Sequence, residues 1–149
     1  MKNKFIKECV WIIVILIVSI LTGTVLMIAS YALPTEPMKM HARETISMMA
    51  DEGDDYKWIL KDFTSMAANF TDSLMINTAV YDGKESLLEK ALLNPRTNYA
   101  EGTQTRKLIN ALQDVPGGDA FTYGRYWHGY LVILKPLLFI FNYCPIDSI

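Results

Sequence analysis

The sequence predicts an all-α protein with one N-terminal transmembrane helix, a small extracytoplasmic helical domain, and a C-terminal kinked interfacial or re-entrant helix. Three observations support this fold class. Hydrophobic residues make up 51% of the 149-residue chain and are concentrated at its two ends. Between these ends, apolar residues recur every three or four positions, which is typical of amphipathic helices. Alternation of apolar and polar residues is confined to very short stretches, so we expect little β-structure.

The first hydrophobic segment lies between Glu8 and Glu36, where the chain has no charged residue. Of the 20 residues that start at Val10, 16 are apolar, and about 20 apolar residues in a helix cross the hydrocarbon core of a bilayer. We therefore expect residues 9–33 to form a transmembrane helix. A cleaved signal peptide is the alternative, because residues 30–32 place small side chains at a spacing that suits cleavage.

The charges before this helix predict its orientation. Lys2, Lys4 and Lys7 precede it, and basic residues favour the cytoplasmic side of a membrane. Residues 1–8 are then a cytoplasmic tail, and residues 34–121 form the extracytoplasmic helical domain. We expect a cell-membrane protein whose bulk lies outside the cytoplasm.

Several short helices are predicted in the middle of the chain from apolar spacing, caps and breakers. Asp82 and Gly83 form a turn between two of them. The longest of these helices can also be read as two that are separated near Asn69. The predicted helices are Pro37–Met49, Tyr56–Met75, Glu85–Leu93 and Thr103–Leu112.

The second hydrophobic segment lies within residues 122–149, where Lys135 and Pro136 divide it into short apolar runs. A charge at the centre of a bilayer costs about 2.5–3.5 kcal/mol on insertion scales. We therefore expect an aromatic interfacial or re-entrant helix that leads into further membrane spans. A true span is the alternative, in which the Lys135 side chain extends to the lipid surface.

Carboxylates supply the candidate catalytic residues. Asp54 and Asp55 belong to an acidic cluster that follows the first span, and Asp72 lies among apolar residues. Such groups suit acid–base chemistry or a divalent cation, which is the one cofactor the sequence suggests. The alternative is structural: Asp54 or Asp55 caps one helix, Asp72 caps a second, and the rest of the acidic cluster is a solvated loop.

A dense group of cationic and aromatic residues lies directly before the C-terminal helix. It consists of Arg125, Tyr126, Trp127 and His128. Arginine binds phosphate in a bidentate manner and aromatic rings stack on sugars, so this group suits a phosphate- or sugar-bearing lipid headgroup. The alternative is an aromatic belt at the membrane interface.

Other kinds of site are excluded or disfavoured. A net charge of −2 argues against a nucleic-acid partner. The two histidines, His41 and His128, are far apart and no pair has the spacing of metal ligands, so we expect no transition-metal site. Cys9 and Cys144 are expected on opposite sides of the membrane, which excludes a disulfide between them.

Three motifs resemble the start of uncharacterised bacterial multi-pass membrane proteins, which are similar in layout to integral membrane glycosyltransferases with a C-type fold. They are Phe70–Met75, Tyr81–Lys84 and Arg125–Tyr130. In such enzymes the first outer loop often holds a catalytic or metal-binding aspartate, and the donor is a polyprenyl-phosphate-linked sugar.

The resemblance implies that Asp72 is the leading catalytic candidate, followed by Asp54 and Asp55. It also implies that the chain is the front part of a longer glycosyltransferase that acts in the assembly of cell-envelope polysaccharide. The alternative is a non-catalytic membrane-anchored module that binds a membrane partner or a lipid, and the lipid bilayer is a partner in both cases. The oligomeric state is left open.

Overall fold

A computed structural model describes residues 2–52, 56–58, 66–122 and 128–141. These residues form six helices and four short strands, so the protein is mostly helical, as predicted. The strands pair as two separate antiparallel ribbons, β1 with β2 and β3 with β4. In chain order the elements are α1 (Lys2–Tyr31), α2 (Thr35–Glu52), β1 (Tyr56–Trp58), β2 (Met66–Ala68), α3 (Asn69–Ala79), α4 (Leu87–Leu93), β3 (Pro95–Asn98), α5 (Gln104–Leu112), β4 (Asp119–Thr122) and α6 (Leu131–Ile140).

Helix α1 is the long apolar helix that the sequence predicts. Its segment Ile6–Tyr31 contains 26 residues and is long and apolar enough to cross a membrane. At about 1.5 Å per residue this segment is about 39 Å long, which exceeds the roughly 30 Å hydrocarbon core. Its last turns pack against the rest of the protein, where Met27, Ser30 and Tyr31 are buried. The chain leaves the helix before Pro34, which cannot continue its hydrogen bonding.

Helices α4 and α5 lie within the predicted helices Glu85–Leu93 and Thr103–Leu112. Ser86 begins α4 with a capping box, in which its hydroxyl accepts from the Glu89 backbone N–H and the Glu89 carboxylate accepts from the Ser86 backbone N–H. Thr103 caps α5 by accepting from the Arg106 N–H at 3.2 Å. Asn94 ends α4 in the left-handed conformation with φ of 46°.

The predicted helix over Tyr56–Met75 is wrong in its first part. Residues 56–58 and 66–68 form a short antiparallel ribbon in which Tyr56 lies opposite Ala68, and Asn69–Ala79 is helical. Three-residue strands are too short to show an alternating pattern, so their apolar residues also match helical spacing. The proposed cap at Asp54 or Asp55 lies outside the described residues.

A second ribbon joins β3 and β4, with Pro95 opposite Thr122 and Asn98 opposite Asp119. It was not expected from the sequence. Each strand has four residues, and their pairing closes a loop of about twenty residues that contains α5. Because the hydrogen bonds join distant parts of the chain, local patterning does not predict them.

One hydrophobic core joins the last turns of α1 to the helices that follow. Helix α2 lies at its centre and contacts α3, α5 and α6. A buried residue typically touches six or more others, so these side chains fix the helices relative to one another. The core residues are Met27, Tyr31, Met38, Ala42, Ile76, Ala79, Val80, Ala91, Leu108, Leu112, Leu131 and Leu138.

Lys135 is buried at the centre of this assembly. Its side chain has 0% exposure, and its ammonium group donates to the backbone oxygen of Ala79 at 2.5 Å. The same group lies 4.7 Å from the centre of the Tyr31 ring, which is a cation–π contact. The alternative in which Lys135 extends to the lipid surface is therefore wrong, because this side chain points into the protein.

The Lys135 contacts involve three helices. Ala79 is the last residue of α3, where carbonyl groups lack partners within the helix and carry partial negative charge. A cation at this position is favoured by the helix dipole. Burial nevertheless lowers the pKa of Lys135 to about 8, and the nearby positive charge of Lys90 adds to this effect.

Replacing Lys135 should change how stability depends on pH. In the folded chain Lys135 binds its proton more weakly than at its ordinary pKa of 10.5. The unfolded chain therefore holds more protons between about pH 8 and pH 10, and the free energy of unfolding should rise by about 1–3 kcal/mol over this window. We expect Lys135→Met to abolish most of this rise, measured by urea unfolding of the solubilised chain followed by circular dichroism.

Lys135→Ala serves as the control for packing. It should lower the free energy of unfolding by about 2–4 kcal/mol relative to Lys135→Met at every pH, because it leaves a cavity and neither variant titrates at this position. Lys135→Met keeps the side-chain length and should cost far less at neutral pH, since apolar replacement of a buried charge is often neutral. If Lys135→Met shows the same rise with pH as the natural chain, another group is responsible.

Candidate functional site

A charged cleft of about 320 Å³ opens beside the start of α2. It is formed by one side chain of α2, the loop after α3, the end of α5 and the glycine-containing loop before β4. The polar and charged side chains that line it are Lys39, Tyr81, Asp82, Thr97, Tyr99, Asp114 and Asp119. Clefts with a few convergent polar groups are the usual places for ligands to bind.

Lys39 lies at the centre of the cleft and joins two of its walls. Its ammonium group is 2.7 Å from a carboxylate oxygen of Asp82 and 2.7 Å from one of Asp114. The Lys39 side chain is only 4% exposed, whereas both carboxylates are more than half exposed. A buried ammonium is thus compensated by two carboxylates that also face solvent.

Arg43, one turn further along α2, completes this network. Its Nε donates to the backbone oxygen of Leu112 at 2.6 Å, and its guanidinium lies 3.2 Å from Asp114. Leu112 is the last residue of α5, so Arg43 satisfies a carbonyl at a helix C-terminus. Asp114 follows with a positive φ of 51°, a conformation that aspartate tolerates better than most residues.

The electrostatics of the network favour the charged forms of Lys39 and Asp114. Burial alone would lower the pKa of Lys39, but its hydrogen bonds to Asp114 and Asp82 outweigh this and raise the pKa. The pKa of Asp114 is lowered, chiefly by the hydrogen bond from Lys39. A lysine that holds its proton so firmly is a poor general base, so the network is suited to binding and to structural support.

Two close approaches shape the cleft walls. The Tyr81 hydroxyl donates to the Glu85 carboxylate at 2.6 Å, and a Cβ atom on Gly83 would overlap both side chains. Burial raises the pKa of Tyr81, and the hydrogen bond to Glu85 adds to this. On the other wall, a Cβ on Gly118 would overlap Thr97 and Tyr99. Glycine is therefore required at both positions.

Asp72, the leading catalytic candidate, does not line this cleft. It lies in the first turn of α3, whereas the cleft begins just after Ala79, the last residue of that helix. Asp72 and Ala79 are seven residues apart, which is about 10 Å along the helix axis. The position of Asp72 in the first turn agrees with the structural alternative, since a carboxylate there interacts favourably with free backbone N–H groups. Among the described residues, no group of three histidine, cysteine, aspartate or glutamate side chains is placed to hold a metal ion.

Most of the other predicted site residues lie outside the described part of the chain. This applies to Asp54 and Asp55, and to Arg125, Tyr126 and Trp127 of the aromatic group. His128 is described and is buried directly before α6, with its ring 5.8 Å from that of Tyr130. Its Nδ1 atom is buried without a hydrogen-bond partner.

Lys39 and Asp114 were missed as site residues, and the sequence contains only a weak signal for them. Met38 and Ala42 of α2 point into the core, which places Lys39 at the edge of that inward face. The carboxylates that bind it lie 43 and 75 residues further along the chain. Nothing in the local sequence indicates that these three residues meet.

Comparisons of the chain with protein-family models, curated proteins and solved structures find no match. The residues described above therefore provide the basis for a functional proposal.

Removing the charge of Lys39 should destabilise the protein in a way that depends on pH. Lys39→Met leaves Asp82 and Asp114 close together without their shared counter-ion. We expect a loss of about 1–3 kcal/mol in the free energy of unfolding at pH 7, toward the lower end because both carboxylates are exposed. Urea unfolding followed by circular dichroism measures this loss. Lys84→Met is the control, since it replaces an exposed lysine next to the cleft and should change the free energy of unfolding little.

The acid side of the pH profile provides the second measurement. The folded chain lowers the pKa of Asp114 below its ordinary value of 3.8, so its stabilising effect is present at neutral pH and is lost as pH falls below that value. This acid-induced loss should be smaller in Lys39→Met than in the natural chain. An unchanged acid profile would show that the Lys39–Asp114 pair contributes nothing measurable.

Proposed function

We propose that this protein is a membrane-anchored binding module whose domain lies against the outer surface of the membrane. Helix α1 spans the bilayer with its N-terminus in the cytoplasm, and α6 lies in the membrane interface. The proposal is based on one observation: α6 buries its one charged residue inside the protein and exposes only apolar residues, whereas a surface helix in water exposes polar ones.

The outer face of α6 is entirely apolar. Ile133, Leu137, Ile140 and Phe141 follow the spacing of one helix face and are 66%, 48%, 62% and 60% exposed. The inner face contains Leu131, Lys135 and Leu138, all buried. A surface helix in water shows the opposite distribution, with polar residues toward solvent. Lipid is the solvent that suits an apolar outer face.

The position of α6 supports the same conclusion. It packs against the last turns of α1, which is the segment long and apolar enough to cross a membrane. At ten residues, α6 is about 15 Å long and about half the length needed to span a bilayer. A short apolar helix beside the end of a spanning helix fits a location in the interface.

Fluorescence at single cysteines tests this proposal. In the full chain with Cys9→Ser and Cys144→Ser, an environment-sensitive fluorophore is attached at Ile133→Cys and, as a control, at Phe70→Cys. Phe70 is an exposed apolar residue at the end of α3 remote from Lys135. In phosphatidylcholine–phosphatidylglycerol vesicles we expect quenching by doxyl-labelled lipid at position 133 and none at position 70.

The orientation can be measured with the same variants. In intact cells, the cysteine of Phe70→Cys should react with a membrane-impermeant maleimide. A further variant in the same background, Lys4→Cys, should react only after the membrane is opened. Reaction at position 4 from outside would show the opposite orientation. A water-exposed fluorophore at position 133 would show that α6 does not lie in lipid.

A transferase that uses a polyprenyl-phosphate-linked sugar is the second candidate. It is supported by the cleft, because Tyr81, Asp82 and Gly83 line it and belong to one of the motifs on which the resemblance depends. The exposed Asp82 carboxylate can accept hydrogen bonds from sugar hydroxyl groups in addition to that from Lys39.

Substitution of single carboxylates in membranes that contain the lipid-linked donor tests this candidate. If the protein transfers sugar, we expect Asp82→Asn or Asp72→Asn to lower donor turnover at least tenfold at equal protein level, since removing one catalytic acid or base costs about 10²–10⁴-fold. Glu101→Gln, an exposed carboxylate outside the cleft, is the matched control. Unchanged turnover in both variants would exclude Asp72 and Asp82 from catalysis.

A further inference from the structure

Helix α4 exposes four leucines although it has only seven residues. Leu87, Leu88, Leu92 and Leu93 are 42%, 50%, 59% and 45% exposed, and Ala91 is the one residue of the helix that is buried. Single exposed leucines are common on protein surfaces, but a contiguous group marks a place where something apolar binds.

Helix α4 packs against the outer end of α1. The Tyr31 hydroxyl lies 3.4 Å from the Asn94 side-chain oxygen, to which it donates, and Asn94 is the residue that ends α4. Ala91 belongs to the same core cluster as Met27 and Tyr31. Leu92 and Leu93 are therefore close to the last residue of the segment that is able to span a membrane.

The charges of α4 are compatible with the headgroup region of a bilayer. Leu88 and Leu92 are four residues apart and form one face, and Lys90 lies on the opposite face. Glu89 borders the leucine face, and its carboxylate accepts from the Ser86 N–H and hydroxyl at 2.8 Å each. Those hydrogen bonds lower the pKa of Glu89, so it remains ionised.

An apolar groove of about 310 Å³ lies between α1 and α6. Its one polar side chain, Ser30, donates its hydroxyl to the Leu26 backbone oxygen at 2.9 Å, so the groove presents no unsatisfied hydroxyl donor. The residues that line it are Leu26, Ala29, Ser30, Leu33, Pro136, Phe139 and Ile140.

The apolar surface of α1 thus continues onto two short helices, α4 and α6, which both contact its outer end. We propose that α4 is a second lipid-contacting helix and that acyl chains of the outer leaflet cover its leucine face and fill the α1–α6 groove. Lipid is the occupant because this surface is continuous with that of α1, whose exposed residues between Val10 and Leu26 are apolar except for Ser19 and Thr22. The inference rests on the proposed function, since it requires α1 to lie in the membrane.

Depth measurements at α4 test this inference in the full chain. In the background with Cys9→Ser and Cys144→Ser, the fluorophore is attached at Leu92→Cys, and positions 133 and 70 serve as references for α6 and for the far end of α3. In phosphatidylcholine–phosphatidylglycerol vesicles, we expect a blue shift of emission at position 92, with loss of intensity when doxyl-labelled lipid is present. Position 70 should show neither change.

A second variant addresses the groove. Ala29→Trp places a large side chain in the space between α1 and α6 and should reduce the quenching of a fluorophore at Phe139→Cys by doxyl lipid, because the acyl chain is displaced. Leu16→Trp, in the exposed middle of α1, should leave that quenching unchanged. Equal quenching in both variants would show that no acyl chain occupies the groove.

The remaining outcomes separate this inference from the proposed function. Quenching at position 133 but not at position 92 overturns the role of α4 and leaves the membrane-anchored module intact. A different result would show that a second copy of the chain covers the leucines. In that case the fluorophore at position 92 is shielded from water but not quenched by doxyl lipid, and crosslinks form between copies. Water exposure at both positions would contradict the proposed function itself.

Discussion

The burial of Lys135 is the constraint on which the arrangement of the helices depends. An ammonium group inside a protein must find hydrogen-bond partners or lose its charge, because burial without compensation costs several kcal/mol. Lys135 meets a free carbonyl at the end of α3 and the face of the Tyr31 ring. Three helices are joined at this point, and the rotation of α6 about its axis is fixed by it.

The orientation of α6 has consequences for the surface of the protein. With Lys135 turned inward, residues on the other side of the helix must point outward, and all of them are apolar. The result is a helix whose exposed face suits lipid, next to the apolar end of α1. Two further features, the leucines of α4 and the groove between α1 and α6, extend this surface.

The two lysines that are buried in the described part of the chain are stabilised in opposite ways. Lys39 is shared by two carboxylates, which raise its pKa, whereas Lys135 has only a carbonyl and an aromatic ring, and burial lowers its pKa. The first arrangement produces a charged cleft open to solvent. The second includes no ion pair with a described carboxylate and lies at the apolar centre of the protein.

The sequence by itself determined the helices that have local signals. The apolar length of α1 can be read directly from the order of amino acids. The same is true of Ser86, Thr103 and Pro95, because capping residues and helix breakers act within a few residues. Local signals also placed Asp72 at the start of a helix. They failed for residues 56–58 and 66–68, where three-residue strands are stabilised by partners about ten residues away.

Tertiary structure alone decided the cleft and the direction of Lys135. Lys39 meets Asp82 and Asp114 across 43 and 75 residues, and Lys135 reaches Ala79 across 56. In the sequence, Lys135 only interrupts an apolar run, and its cost in a membrane argued for an interface. The Ala79 carbonyl and the Tyr31 ring come within reach of the Lys135 ammonium group only after α1, α3 and α6 have packed. A hydrogen bond depends on distance in space rather than on separation along the chain.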